Sequence, residues 1–165
     1  MEGSKMGMIG YFYRADAAEV ERLRADTAPL WEDAADGKLL DVDKSWHVIH
    51  YVLTGSAWET CPDDPLSQLV LGGEALSEED LGYGPARVLD AVTVRQIADA
   101  LKSWDQPHFR ASFDMKAMLE DNIYPLMDDE DEETLFDYTW HYFELLKTFL
   151  HNAAERGDCI LSYVL

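Results

Sequence analysis

Between Glu132 and Glu155 apolar side chains recur at the helical period. Leu135, Phe136, Thr139, Tyr142, Phe143, Leu146, Phe149, Leu150 and Ala153 fall on one stripe. A helix of that length spans about 36 Å, and so long a stripe must be covered by other elements along its whole length. Arg156-Gly157 is the expected way to end it. Cys159-Ile-Leu-Ser-Tyr-Val164 then has the composition of a strand, as does Met8-Ile-Gly-Tyr-Phe-Tyr13 near the start. Strands at both ends with helices between them predict an α+β fold. It is a single compact, helix-rich domain with a small sheet in which the N- and C-terminal strands pair under the long helix.

The intervening segments follow from local signals. Asp16 opens a helix over residues 17–28, and Pro29 begins a short one through Trp31 and Ala34 that stops before Gly37. Asp43 is placed to cap a helix from Lys44 to Leu53, with Gly55 supplying its left-handed end. Leu66 to Leu71 reads as a short buried helix ending at Gly72-Gly73, and Ser77 with Asp80 has the spacing of a weak capping box. Gly82-Tyr83-Gly84-Pro85 is a turn that needs positive φ, leading into an extended segment through Leu89. Thr93 to Leu101 is amphipathic, and Pro107 breaks the chain before a helix from Phe113 to Glu120. No repeat or linker divides residues 6–165, which form one domain; Met1 to Lys5 reads as an upstream extension or tag.

The chain is long enough, at 165 residues, to bury one sizeable core. Its 33 acidic and 13 basic side chains leave a net charge of −20. Such a surface repels phosphate backbones and anionic head groups, so neither nucleic acid nor membrane is expected as a partner. It attracts a basic protein, and it also keeps a protein soluble. The acidic run Asp128 to Glu133 lacks the alternation and central glycine of a calcium loop, and reads as a solvated helix start. Cys61 and Cys159 form no spacing motif, which fits reduced thiols in a cytoplasmic protein. No stretch of about 18 apolar residues is present.

Two carboxylates, two of the five histidines, a tryptophan and a tyrosine gather at residues 41–55. Trp46, Ile49 and Leu53 share one helix face, with His47, His50, Tyr51 and Thr54 along its flank and Asp41 and Asp43 just before it. Two histidines and two aspartates are ligand types for a divalent ion, yet the i, i+3 histidine spacing with no intervening Glu is not the zinc-protease pattern. No metal and no cofactor are assigned. There is no G-x-S-x-G elbow, phosphate-binding loop or G-x-G-x-x-G, so no catalytic residue is assigned either. Arg87 stands out in so acidic a chain, as an anion clamp or as the partner of a carboxylate.

Two readings follow. The first is a non-catalytic acidic interaction module that neutralises a basic protein, as immunity proteins do. The alternative is a small-molecule-binding protein or hydrolase with Trp46, His47, His50 and Tyr51 on one side of a pocket and Tyr83 or Arg87 across it. There His50 would serve as base or donor, an aspartate would orient it, and Arg87 would hold an anion. The plainer alternatives are a capping Asp43, a satisfied core His50 and a paired Arg87. A third idea, mimicry of nucleic acid, needs carboxylates spaced like phosphates.

Several fragments together resemble the YfbM-like family of uncharacterised bacterial proteins. They are Met6-Gly-Met-Ile-Gly-Tyr-Phe12, Leu40-Asp41-Val-Asp43-Lys44-x-Trp46 with Leu53-Thr-Gly55, and Asp64-Pro-Leu66 with Val70-Leu-Gly-Gly73. Gly82-Tyr-Gly-Pro-Ala-Arg87, Ile123-Tyr-Pro125 and the aromatic final helix with its strand complete the set. The resemblance implies a compact α+β domain in a bacterial cytoplasmic protein and no particular reaction. Val88-Leu-Asp-Ala-Val92 departs from the Leu-Thr-Pro-like helix start expected after Arg87.

Overall fold

The computed structural model describes residues 7–31 and 37–165. Its middle strand is β5 (Cys159–Val164), antiparallel to β1 (Gly10–Ala15) on one side and to β4 (Arg87–Leu89) on the other. Two short strands, β2 (Leu39–Asp41) beyond β1 and β3 (Glu74–Ala75) beyond β4, complete the order β2-β1-β5-β4-β3. The terminal strands therefore pair as expected, in register from Gly10 opposite Val164 to Ala15 opposite Cys159. Ile9 and Leu165 extend the ladder by exchanging two backbone hydrogen bonds of 2.9 Å.

Alternation of side chains along a strand divides the interior into two cores. Phe12, Leu89 and Ile160 face the larger one, built from α2 (Trp46–Thr54), α3 (Pro65–Leu71), α4 (Ala91–Leu101), α5 (Gln106–Ala111), α6 (Met115–Glu120) and α7 (Glu132–Arg156). Tyr13, Val88, Leu161 and Tyr163 face the smaller one, closed by Val20 and Leu23 of α1 (Ala17–Ala25) with Leu30, Leu76 and Leu81. Cover on both faces explains why β5 is almost continuously apolar. The stripe on α7 is buried as read, except that Tyr142 is only half-buried. Asp131 caps α7 by accepting the Thr134 N–H at 3.0 Å, and Gly157 ends it at φ 71°.

Capping accounts for part of the acidity. Asp16, Asp64, Asp90, Asp105, Asp114 and Asp131 each open an α-helix with a carboxylate oxygen on a first-turn backbone N–H. Each such cap stabilises its helix by about 1 kcal/mol.

Several local expectations are corrected. Asp43 does not cap α2: a 3-10 turn, Asp43–Ser45, comes first and α2 begins at Trp46. Asp43 itself sits at φ 52°, a left-handed conformation that aspartate tolerates. Its N–H donates to Asp41 Oδ1 at 2.7 Å and its Oδ2 accepts from the Tyr138 hydroxyl at 2.8 Å. No helix follows Ser77, because Gly82 and Gly84 at φ 139° and 98° turn the chain instead. Pro107 does not break a helix but stands in the first turn of α5, where its missing N–H costs nothing. The next helix, α6, starts at Met115 under Asp114 rather than at Phe113, and α4 starts at Ala91 under Asp90 rather than at Thr93. The first helix stops at Ala25, and Ala28–Leu30 form a 3-10 turn; the expected continuation to Ala34 and the segment Met1 to Lys5 lie outside the described residues.

Candidate functional site

Across the middle of the sheet, Phe12 of β1, Ser162 of β5 and Arg87 of β4 are register partners in one row. Residues directly opposite on antiparallel strands share a face, so Arg87 and Ser162 stand side by side on the helix-covered side. In the next row Gly10 faces Val164. The missing side chain at Gly10 lets Trp46 of α2 lie against the strand. A Cβ there would sit 3.0 Å from Trp46 Cβ and Cδ1, tight enough to push the ring away. Trp46 Nε1 donates to the Met8 carbonyl at 3.0 Å and fixes the ring further.

Around this floor the chain leaves a cleft of about 270 Å³, open to solvent. Trp46 and Trp58 form one wall, with ring centres 6.4 Å apart. Val70 and Leu71 from the end of α3 contribute another, and Tyr83 and Pro85 stand opposite. Trp58 and Tyr83 are 61% and 58% exposed, a large apolar area for a rim. The Tyr83 turn is held from below by Asp80, whose Oδ1 accepts the N–H groups of Gly82 at 2.7 Å and Gly84 at 3.0 Å. Those two bonds hold the Asp80 carboxyl below its ordinary pKa.

The polar groups of the floor are unspent. Ser162 is 5% exposed, and its hydroxyl has no hydrogen-bond partner. Arg87 is exposed and, among the described residues, its side chain takes part in no hydrogen bond or ion pair. An unpaired guanidinium beside an unpaired hydroxyl supplies two donors on one apolar-walled surface.

His47 lies behind this wall rather than in the cleft, its ring stacked 5.2 Å from that of Trp46 and tilted against that of Trp58 at 4.2 Å. Both nitrogens are engaged. Nδ1 accepts the Tyr124 N–H at 2.9 Å, so the proton must be on Nε2, which donates to the Ala57 carbonyl at 2.8 Å. Burial lowers the His47 pKa, partly opposed by the Ala57 carbonyl. His47 therefore acts as a neutral staple between α2, the Tyr124 segment and the loop that carries Trp58.

His50 is fully buried with neither ring nitrogen in a hydrogen bond of good geometry. Desolvation, with a smaller push from His47, drives its pKa down to about 4; the Glu59 backbone opposes this only weakly. Tyr51 is buried too, and desolvation followed by the nearby Asp121 carboxylate raises its pKa. Neither His50 nor Tyr51 lines the cleft. Of the residues singled out in the sequence, the fold thus brings Trp46, Tyr83 and Arg87 together, keeps His47 one layer behind, and encloses His50 and Tyr51 in the core. The aspartates are used elsewhere, Asp41 on the Asp43 N–H and Asp43 on Tyr138.

Two cleft residues carried no motif. Ser162 is the polar interruption of an apolar strand, and Trp58 is a tryptophan inside a polar loop; each is a weak signal that only register and loop path make meaningful. Among the described residues no group of three or more His, Cys, Asp or Glu side chains is arranged to hold a metal ion. Cys61 is exposed and Cys159 buried, both as free thiols, and burial raises the Cys159 pKa away from reactivity. Among the described residues no helix is long and apolar enough to cross a membrane.

Comparison with known proteins agrees with this picture of fold. The profile of a family described as Domain of unknown function (DUF1877) matches residues 6–163. The chain is similar to Protein YfbM of Escherichia coli K12, with 35% identity over 170 residues covering 96% of this chain and 99% of that protein. It also superposes on the crystal structure of YfbM from Escherichia coli, described there as a protein of unknown function. That match has a TM-score of 0.74 and 28% sequence identity, and covers 95% of this chain and 99% of the other.

Proposed function

The chain belongs to the DUF1877 family, and from that premise we propose that it is a binding protein for a small anionic molecule, held in the cleft between Trp46, Trp58 and Tyr83. The observation that carries this reading is Arg87. Among the described residues its guanidinium has no partner, as is also true of exposed Arg22, Arg95 and Arg156, but of these only Arg87 lines the cleft, beside the unpaired Ser162 hydroxyl. Exposed aromatic rims and a walled floor supply the apolar part of a ligand site. Binding is favoured over hydrolysis because both His47 nitrogens are committed and His50 does not line the cleft, so neither histidine is placed as a base. A fragment screen by NMR on the 15N-labelled chain tests this. Anionic fragments should move the indole N–H signals of Trp46 and Trp58, and Arg87→Gln should weaken the response. If fragments of every charge class leave both indoles unmoved, the cleft is not a ligand site.

A second reading concerns the outer surface, where an acidic module would capture a basic protein and neutralise it, as immunity proteins do. It is supported by the run Asp128 to Glu133, exposed but for half-buried Glu130, which follows the 64% exposed Met127 and is answered, among the described residues, by Arg110 on Glu132 and Glu133. Electrostatic capture of this kind weakens as salt rises. A basic partner retained at low salt by the native chain and released by the triple change Asp128→Asn, Asp129→Asn and Glu130→Gln supports it. Equal retention by both chains would remove it.

A further inference from the structure

Resting on the cleft reading above, we infer that the ligand is a small aryl carboxylate, its carboxylate held by Arg87 and Ser162 and its ring lying among Trp46, Trp58 and Tyr83. The charge follows from the donors. One guanidinium and one hydroxyl on adjacent strands match the two oxygens of a planar monoanion. A phosphate dianion asks for more, and among the described residues the cleft lining includes no lysine and no second arginine. The last turn of α3, where carbonyl oxygens concentrate negative potential, also borders the site at Val70 and Leu71. In a protein of net charge −20 every further negative charge on the ligand is penalised.

Ser162 is the group that most needs a ligand. Its hydroxyl is buried and unpaired, a state that costs stability until a partner is supplied. It stands opposite Arg87 in the register and belongs to the cleft lining, so a carboxylate on the guanidinium is brought to the same row of the sheet. The remaining lining is flat and aromatic, and Trp58 and Tyr83 expose rings that a planar body covers by stacking. At about 270 Å³ the cleft lies at the small end of ligand pockets, which suits one ring or two fused rings.

The test is a titration of the 15N-labelled chain with 2-naphthoate, 2-naphthamide, cyclohexanecarboxylate and phenyl phosphate, followed at the Trp46 and Trp58 indole N–H signals. 2-Naphthoate should saturate both signals. Arg87→Gln should weaken it by roughly tenfold or more. Ser162→Ala should weaken it by roughly threefold to tenfold with no loss of folding stability, because no protein group pairs with that hydroxyl. Equal affinity for 2-naphthamide, or tighter binding of phenyl phosphate, overturns the carboxylate while leaving the cleft a ligand site. Equal affinity for cyclohexanecarboxylate overturns the aromatic body. Silence with all four probes overturns this inference, and silence in the broader fragment screen as well overturns the cleft reading with it.

Discussion

Two regions of the larger core's side of the sheet treat their polar groups in opposite ways. Along α7, where it meets the turn before α2 and the segment after α4, polar side chains find partners, the buried Thr139 hydroxyl excepted. The Tyr138 hydroxyl donates to Asp43 Oδ2 and accepts the Lys44 N–H at 3.0 Å, and Lys147 Nζ donates to the Trp104 carbonyl at 2.7 Å. Burial and the Asp43 carboxylate together push the Tyr138 hydroxyl well above its ordinary pKa. At the cleft the Ser162 hydroxyl and the Arg87 guanidinium are answered by nothing among the described residues. Among the described residues two other buried side chains are also unpaired, Thr139 and His50. Neither of those lines the cleft, whereas Ser162 does. The first region spends its polar groups on holding the fold, and the second keeps them in reserve.

This contrast can be broken at its strong side first. Phe143 is fully buried on α7, with its ring 4.4 Å from that of Phe109. Phe143→Ala should cost roughly 3–5 kcal/mol in urea denaturation and leave probe binding by the folded chain unchanged. A loss of binding without unfolding would show that the two regions are not separable.

The next largest effect is a pH dependence. His50 is neutral in the fold with a pKa near 4, whereas an unfolded histidine takes its proton near 6.5. The contribution is therefore intact above about pH 6.5 and is lost as pH falls towards 4, to a total of roughly 3 kcal/mol. Denaturation at pH 7, 5.5 and 4 should show this acid decline, and His50→Leu should flatten it. An unchanged acid limb in that variant assigns the decline to other groups.

The smallest effects sharpen the comparison most. Tyr138→Phe and Ser162→Ala each remove one hydroxyl. The first should cost about 1–2 kcal/mol, since it leaves the Lys44 N–H and the Asp43 carboxylate short of a partner. The second should cost nothing, because no protein group among the described residues pairs with that hydroxyl. Equal costs in denaturation would mean that Ser162 has a partner in solution and that nothing is held in reserve at the cleft.

The framework was legible because it rests on periodicity and on helix ends. The α7 stripe, the terminal strands, Gly55, Gly157 and the turn at Gly82 and Gly84 are all local signals, and each appears in the fold. Asp43 was misread because a capping aspartate and one in a left-handed turn look alike in sequence; a hydroxyl from Tyr138, far along the chain, decides between them. Pro107 reads as a break unless Asp105 is recognised as the cap that makes it a first-turn residue. The cleft was legible only in pieces. Trp46, Tyr83 and Arg87 stood out by chemistry, but their meeting depends on the β4–β5 register, which brings Ser162 beside Arg87. Histidines 47 and 50 drew attention as chemical groups, and only burial distinguishes a staple from a base.

The middle position of β5 sets the order in which this protein can be made. It is the last element in sequence, yet both β1 and β4 depend on it for their common neighbour. While the chain is being synthesised, the β2–β1 and β4–β3 pairs therefore wait with open backbone edges, because the strand that joins them emerges after α7. Such edges are where a growing chain pairs wrongly with its neighbours. Closing them requires contacts between the two ends of the chain, which are slow to find. A nascent molecule thus becomes native only after its final strand is released, and a ribosome stalled before Cys159 holds two half-sheets rather than a smaller version of the fold.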